Sequence, residues 1–165
     1  MTDHGRTNGQ PDYLVQLEAA FGGPSQQGFG SAVFFETLAD TDDLTQASLS
    51  KYQTFVGKLW ERYGEQAWMG PWRAVYARKA GATPNIVAEL RAIADPDTRQ
   101  SVPMLLDDID GAEAARVALS AVFDDPAVTE LRIFNLGDGE AMSGLLIAGR
   151  RGASGETTFL VFLMD

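Results

Sequence analysis

Residues 156–165, ETTFLVFLMD, constrain the fold more than any other part of this chain. Side chains alternate between the two faces of a strand. A strand here carries Phe159, Val161 and Leu163 on one face and Leu160, Phe162 and Met164 on the other. Both faces are apolar, so both have to be covered. Terminal segments usually fray, yet this one reads as core or as interface. Either helices lie on both sides of its sheet, or a second subunit lies on one.

Two further strands precede it, at 128–136 and 142–150. The connecting Gly137-Asp138-Gly139-Glu140 and Gly152-Ala153-Ser154-Gly155 carry hairpin turn chemistry. In the middle strand, Gly144 and Gly149 permit close approach by another backbone or by a helix.

Everything upstream reads as helical, with one ambiguous stretch. Residues 13–21 form a short apolar helix ended by Gly22-Gly23-Pro24, and 25–30 continue as a loop. Residues 32–38, AVFFETL, fit a short helix or a strand equally well. Thr41-Asp42-Asp43 opens a long helix. Leu49, Tyr52, Phe55, Val56, Leu59, Trp60 and Tyr63 form its apolar stripe, and Gly64 its end. Gly70-Pro71 opens another with Trp72, Val75 and Tyr76 facing inward. A third starts at Thr83-Pro84, buries Ile86, Val87, Leu90 and Ile93, and stops at Asp95-Pro96. Residues 101–109 make only a short turn, because Pro103 forbids a long helix through it. Asp110 caps a last helix over 112–123, which buries Ala115, Ala118, Leu119 and Val122.

The expected architecture is therefore α+β: an N-terminal helical part, then a three-stranded antiparallel meander packed on helices. Residues 1–11 read as a disordered polar tail and 12–165 as one domain.

Composition narrows the function classes. A chain of 165 residues with 45% apolar content builds one real core. The net charge of −10 disfavours nucleic acid as a partner. There is no cysteine, which removes disulfides, thiolate nucleophiles and thiolate-bound metals and suits a reducing, cytoplasmic setting. The only histidine, His4, lies in the tail, which leaves the folded part without the commonest general base. No apolar run approaches the length of a membrane span. Gly28-Phe29-Gly30-Ser31 begins like a dinucleotide fingerprint but lacks its third glycine and a preceding strand.

Two candidate sites remain. The first is a basic, aromatic stretch. Residues 51–79 hold Lys51, Lys58, Arg62, Arg73, Arg78 and Lys79 against Glu61 and Glu65, whereas 89–125 hold nine acids against three arginines. Aromatic residues among basic ones can anchor a partner. From this stretch Trp68, Trp72, Arg73, Arg78 and Lys79 are expected to contact an acidic protein, or the acidic half of a second copy in a homodimer. Trp68 fits no helical stripe and is expected to be partly exposed. The bland alternative makes the aromatics core and the cations its solvated face. The second candidate is the acidic set Asp107, Asp108, Asp110 and Glu113, whose oxygens suit Ca²⁺ or Mg²⁺. It fits no EF-hand register, and helix caps account for it equally well. The expected function is thus a small, acidic, non-enzymatic binding or regulatory protein that acts through protein contacts. The alternatives are a Ca²⁺-binding protein and a carboxylate-based hydrolase.

Overall fold

The computed structural model describes residues 11–24, 30–138 and 141–164. Residues 1–10 of the expected tail 1–11, including His4, most of the loop at 25–30 and the first hairpin tip at 139–140 lie outside the described residues. A 3-10 turn, Asp12–Leu14, leads into α1 (Val15–Phe21) and β1 (Gly30–Thr37). Helices α2 (Leu44–Val56), α3 (Lys58–Tyr63) and α4 (Glu65–Met69) follow, then β2 (Arg73–Ala77). Helices α5 (Ile86–Arg91), α6 (Pro96–Leu106) and α7 (Ala112–Phe123) precede β3 (Val128–Gly137), β4 (Ser143–Arg151) and β5 (Glu156–Met164).

The sheet has five antiparallel strands in the order β1-β5-β4-β3-β2, which replaces the expected three-stranded meander. The α+β class stands; the meander is its centre, and β1 and β2 are its two edges. The ambiguous 32–38 segment is strand because Val33 and Phe34 pair with Leu160 and Phe159 and bury on opposite faces. The expected helix after Pro71 is β2. A bulge at Val75 breaks the strand's alternation. Val75 and Tyr76 therefore both pack toward one layer, while Trp72 packs into the other. Spaced three and one apart, these residues mimic a helical stripe.

Helices cover both faces of β5. Leu160 and Phe162 join α1, α5, α6 and α7 in one core, together with Val33, Leu145 and Ile147. Phe159, Val161 and Leu163 join Tyr52, Phe55 and Trp68 in the other. The glycines of β4 act as expected. A methyl group on Gly144 would stand 1.8 Å from the Phe162 carbonyl, and one on Gly149 would stand 2.8 Å from the Phe123 ring.

Four helix boundaries differ from expectation. The helix expected between Thr83-Pro84 and Asp95-Pro96 is the shorter α5, which Asn85 caps by accepting from the Ala88 amide. The long helix is interrupted at Gly57, whose φ of 63° turns α3 off the axis of α2 and leaves Tyr63 exposed. Helix α6 runs through Pro103, since Asp95 caps its start by accepting from the Asp97 and Thr98 amides and Pro96 sits in its first turn. Pro103 is itself exposed and costs one helical bond near the end. Gly111, not Asp110, stands at the cap position of α7.

Candidate functional site

The two expected sites are taken apart by the fold. Trp68 is buried, 1% exposed, in the second core, and its indole N–H donates to the Leu59 carbonyl at 3.0 Å. Helix α4 packs against β3, so the residue that fits no stripe is core and not an exposed anchor. Trp72 lies flat on Phe134, ring centroids 4.6 Å apart, with Tyr52 stacked on its other side.

The basic residues meet acids from the stretch that the sequence sets apart from them. Arg73 grips Asp95 through Nε (2.7 Å) and Nη2 (2.8 Å), and Nη2 also reaches Asp97. The Arg73 hydrogen bonds hold the Asp95 carboxyl below the usual range. Arg78 grips Glu89 in the same bidentate way and donates to the Phe123 carbonyl at 2.9 Å. Its side chain is 6% exposed and that of Glu89 11%. Burial pushes the Glu89 carboxyl up, but hydrogen bonds from Arg78 and Tyr76 outweigh it and hold the group low. Nearby Asp124 accepts from the Ile86 amide, and burial raises its carboxyl. Two of the six cations of 51–79, Arg73 and Arg78, thus close on acids of 89–125. Lys79 is exposed and makes no ion pair among the described residues.

The acidic set does not converge. Asp107 accepts two hydrogen bonds from Arg91, at 2.9 and 3.0 Å, and stands 3.4 Å from Arg116. Asp108 is exposed. Asp110 and Glu113 face a groove that Asp107 does not line. Among the described residues, no group of three acidic, histidine or cysteine side chains is placed to hold a metal ion.

That groove is the largest hollow described here, about 670 Å³. Its walls are α1 and α7, which pack side by side over the sheet. Gln16, Ala19 and Ala20 line it from α1, and Glu113, Ala114 and Val117 line it from α7, with Asp110 and Gly111 at one end. The inward face of each helix explains the geometry. Leu17 and Phe21 of α1, and Ala115, Ala118, Leu119 and Val122 of α7, bury in the core. The residues between them are left outward, and several are apolar. Val117 is 59% exposed and Val15, one turn before Ala19, is 47% exposed. Exposed apolar residues that cluster in this way mark interaction surfaces. Sequence reading missed the groove because it followed the buried stripes. The signal was apolar residues off the stripe, Val15 and Val117.

A second hollow, about 210 Å³, lies between α6 and the β3–β4 end and is lined by Asp97, Gln100, Asn135 and Ser143. Its buried amide, Asn135, is occupied by the Thr98 hydroxyl and the Pro71 carbonyl. No helix among the described residues is long and apolar enough to cross a membrane. Comparison with protein-family models, with curated proteins and with solved structures finds no match for this chain.

Proposed function

We propose that this chain acts by binding another protein and catalyses no reaction, and that the α1–α7 face is its contact surface. The observation that carries this reading is the exposed apolar lining of the groove, Ala19, Ala20, Ala114 and Val117. Chemistry elsewhere does not compete with it. The chain has no cysteine and a single histidine. The carboxyls with displaced acidity, Glu89, Asp95, Asp107 and Asp124, are each held by an arginine or a backbone amide. A perturbed acid inside a structural ion pair is a weaker sign of catalysis than one facing a cleft. The cysteine-free composition suits the cytoplasm.

The test is affinity purification from the cells in which the protein is made, with wild type and the Ala20→Gln/Val117→Gln variant side by side. Both positions are exposed and outside the core, so the variant should melt within a few degrees of wild type. One or more proteins should co-purify with wild type and be lost with the variant. Identical sets of proteins with both would show that this face is not the contact surface.

A further inference from the structure

Resting on the reading of this face as a protein-binding surface, we infer that the groove receives an amphipathic, positively charged helix from a partner protein. Its walls are themselves two helices, and the lining residues nearest the axis are small. Ala19, Ala20 and Ala114 present only methyl groups, so a third helix can lie along the seam at an interaxial distance of about 8–10 Å. Along α7 the lining runs from Glu113 to Val117, a rise of about 6 Å at about 1.5 Å per residue. The groove therefore engages little more than one turn of a guest helix, at about 5.4 Å per turn. A guest of that length presents apolar residues at i, i+3 and i+4 to the seam, as in helix-in-groove recognition.

Charge selects the guest. Asp110 and Glu113 stand on the lining, and no lysine or arginine does. The neighbouring cation, Arg116, is turned away, with its guanidinium on the Leu106 carbonyl and beside Asp107. The chain as a whole carries −10. A second copy would bring its own Asp110 and Glu113 to the same seam, and like charges in an interface oppose association. A guest with Lys or Arg flanking its apolar stripe meets the acids at the groove end and is steered by the field of the whole domain.

The experiment is selection from a displayed library of random 18-residue helical peptides against wild-type protein, with the enriched clones then titrated against both proteins. Enriched peptides should be net positive with a helical apolar stripe. Their affinity should fall at least tenfold for Ala20→Gln/Val117→Gln, a variant of unchanged charge. It should also fall severalfold for Asp110→Asn/Glu113→Gln at low salt, with a smaller loss at high salt. Failure of the library to yield clones overturns the inference. So do enriched peptides that are neutral, acidic or lacking a stripe, and so does equal binding by both proteins. Sedimentation velocity separates the remaining case. If wild type is a dimer and the Ala20→Gln/Val117→Gln variant a monomer, the guest is a second copy. The cationic-helix assignment then falls while the protein-binding reading stands. If the co-purifying set is the same for wild type and that variant, the reading itself falls.

Discussion

The hydroxyl of Tyr52 closes on both backbone groups of Gly137, accepting from its N–H at 3.1 Å and lying 2.9 Å from its carbonyl as donor. The Trp68 carbonyl is within reach at 3.1 Å. One side chain of α2 thereby ties the end of β3 to α4. Tyr52→Phe leaves a buried N–H without a partner, which costs about 1–3 kcal/mol. Urea unfolding should show that loss with an unchanged m-value, and an unaltered midpoint would refute the tie. Gly137→Ala should cost more, because its φ is 142° and the new methyl group would sit 2.4 Å from the Met142 carbonyl.

Arg78 now has a structural role in place of partner contact. Replacing it with Met leaves Glu89 buried beside Tyr76 with no cation. Removing one partner of such a pair costs roughly 3 kcal/mol. The pH dependence follows from the depressed Glu89 carboxyl. A folded-state pKa below the unfolded one, near 4.3, gives stability that is present above that pH and lost as pH falls through the folded value. Asp95 behaves alike, and the raised Asp124 works in the opposite sense. The gap between wild type and Arg78→Met should therefore be widest at neutral pH and narrow as the pH falls through the range in which Glu89 takes up its proton. Unfolding curves at pH 7 and pH 3 measure it; a gap that widens in acid would contradict the pairing.

Asp95 both caps α6 and holds Arg73. Asp95→Ala removes the cap and the ion pair, and should cost about 1–2 kcal/mol. Asp95→Asn keeps a capping oxygen and should cost less. Equal losses for the two variants would show that charge, not the cap, dominates.

Burial pushes the Tyr13 and Tyr76 hydroxyls up to about 12, with Glu156 beside the first and Glu89 hydrogen-bonded to the second. Burial raises Tyr52 as well. Unfolded tyrosine ionises near pH 10. Folded-state values above that give stability that is full below about pH 10 and lost as pH rises toward 12 and beyond. Urea midpoints should drop between pH 9 and pH 11, and less steeply in Tyr76→Phe. Native-like circular dichroism alongside complete tyrosine ionisation at pH 11 would rule this out.

The two β4 glycines should differ. Gly144→Ala drives a methyl group into the Phe162 backbone, which has to move for β4 and β5 to stay paired. Gly149→Ala meets the Phe123 ring, a side chain that can shift. The first variant should fail to fold, and the second should fold with a lower melting temperature. Thermal melts of both, read against wild type, decide it.

Both faces of β5 and the close approaches at Gly144 and Gly149 were legible because strand periodicity and absent side chains are local signals. So was the inward face of α7. The β2 strand was not, because the bulge at Val75 is fixed by pairing with β3 and leaves no mark in the sequence near Pro71. The ion pairs were hidden for a related reason. Arg78 and Glu89 are eleven residues apart, but Asp124 and the Phe123 carbonyl complete the cluster from 45–46 residues away. Composition shows that charges are segregated and cannot show that the fold brings them together again. The groove was partly legible. Val15 and Val117 stand off their stripes in the sequence, but the groove itself depends on α1 lying beside α7.

The sheet order has a consequence for synthesis. Strand β1 pairs with β5 alone, through Gly30↔Leu163 to Thr37↔Glu156, and β5 is the last strand in chain order. During translation β1 therefore emerges from the ribosome long before its partner exists. At about 5–20 residues per second, the wait is on the order of ten seconds. Throughout that interval Val33, Phe34 and Phe35 have no strand to join, and β4, once made, has an open edge until β5 follows. Until β5 is made, this apolar segment is open to misassociation.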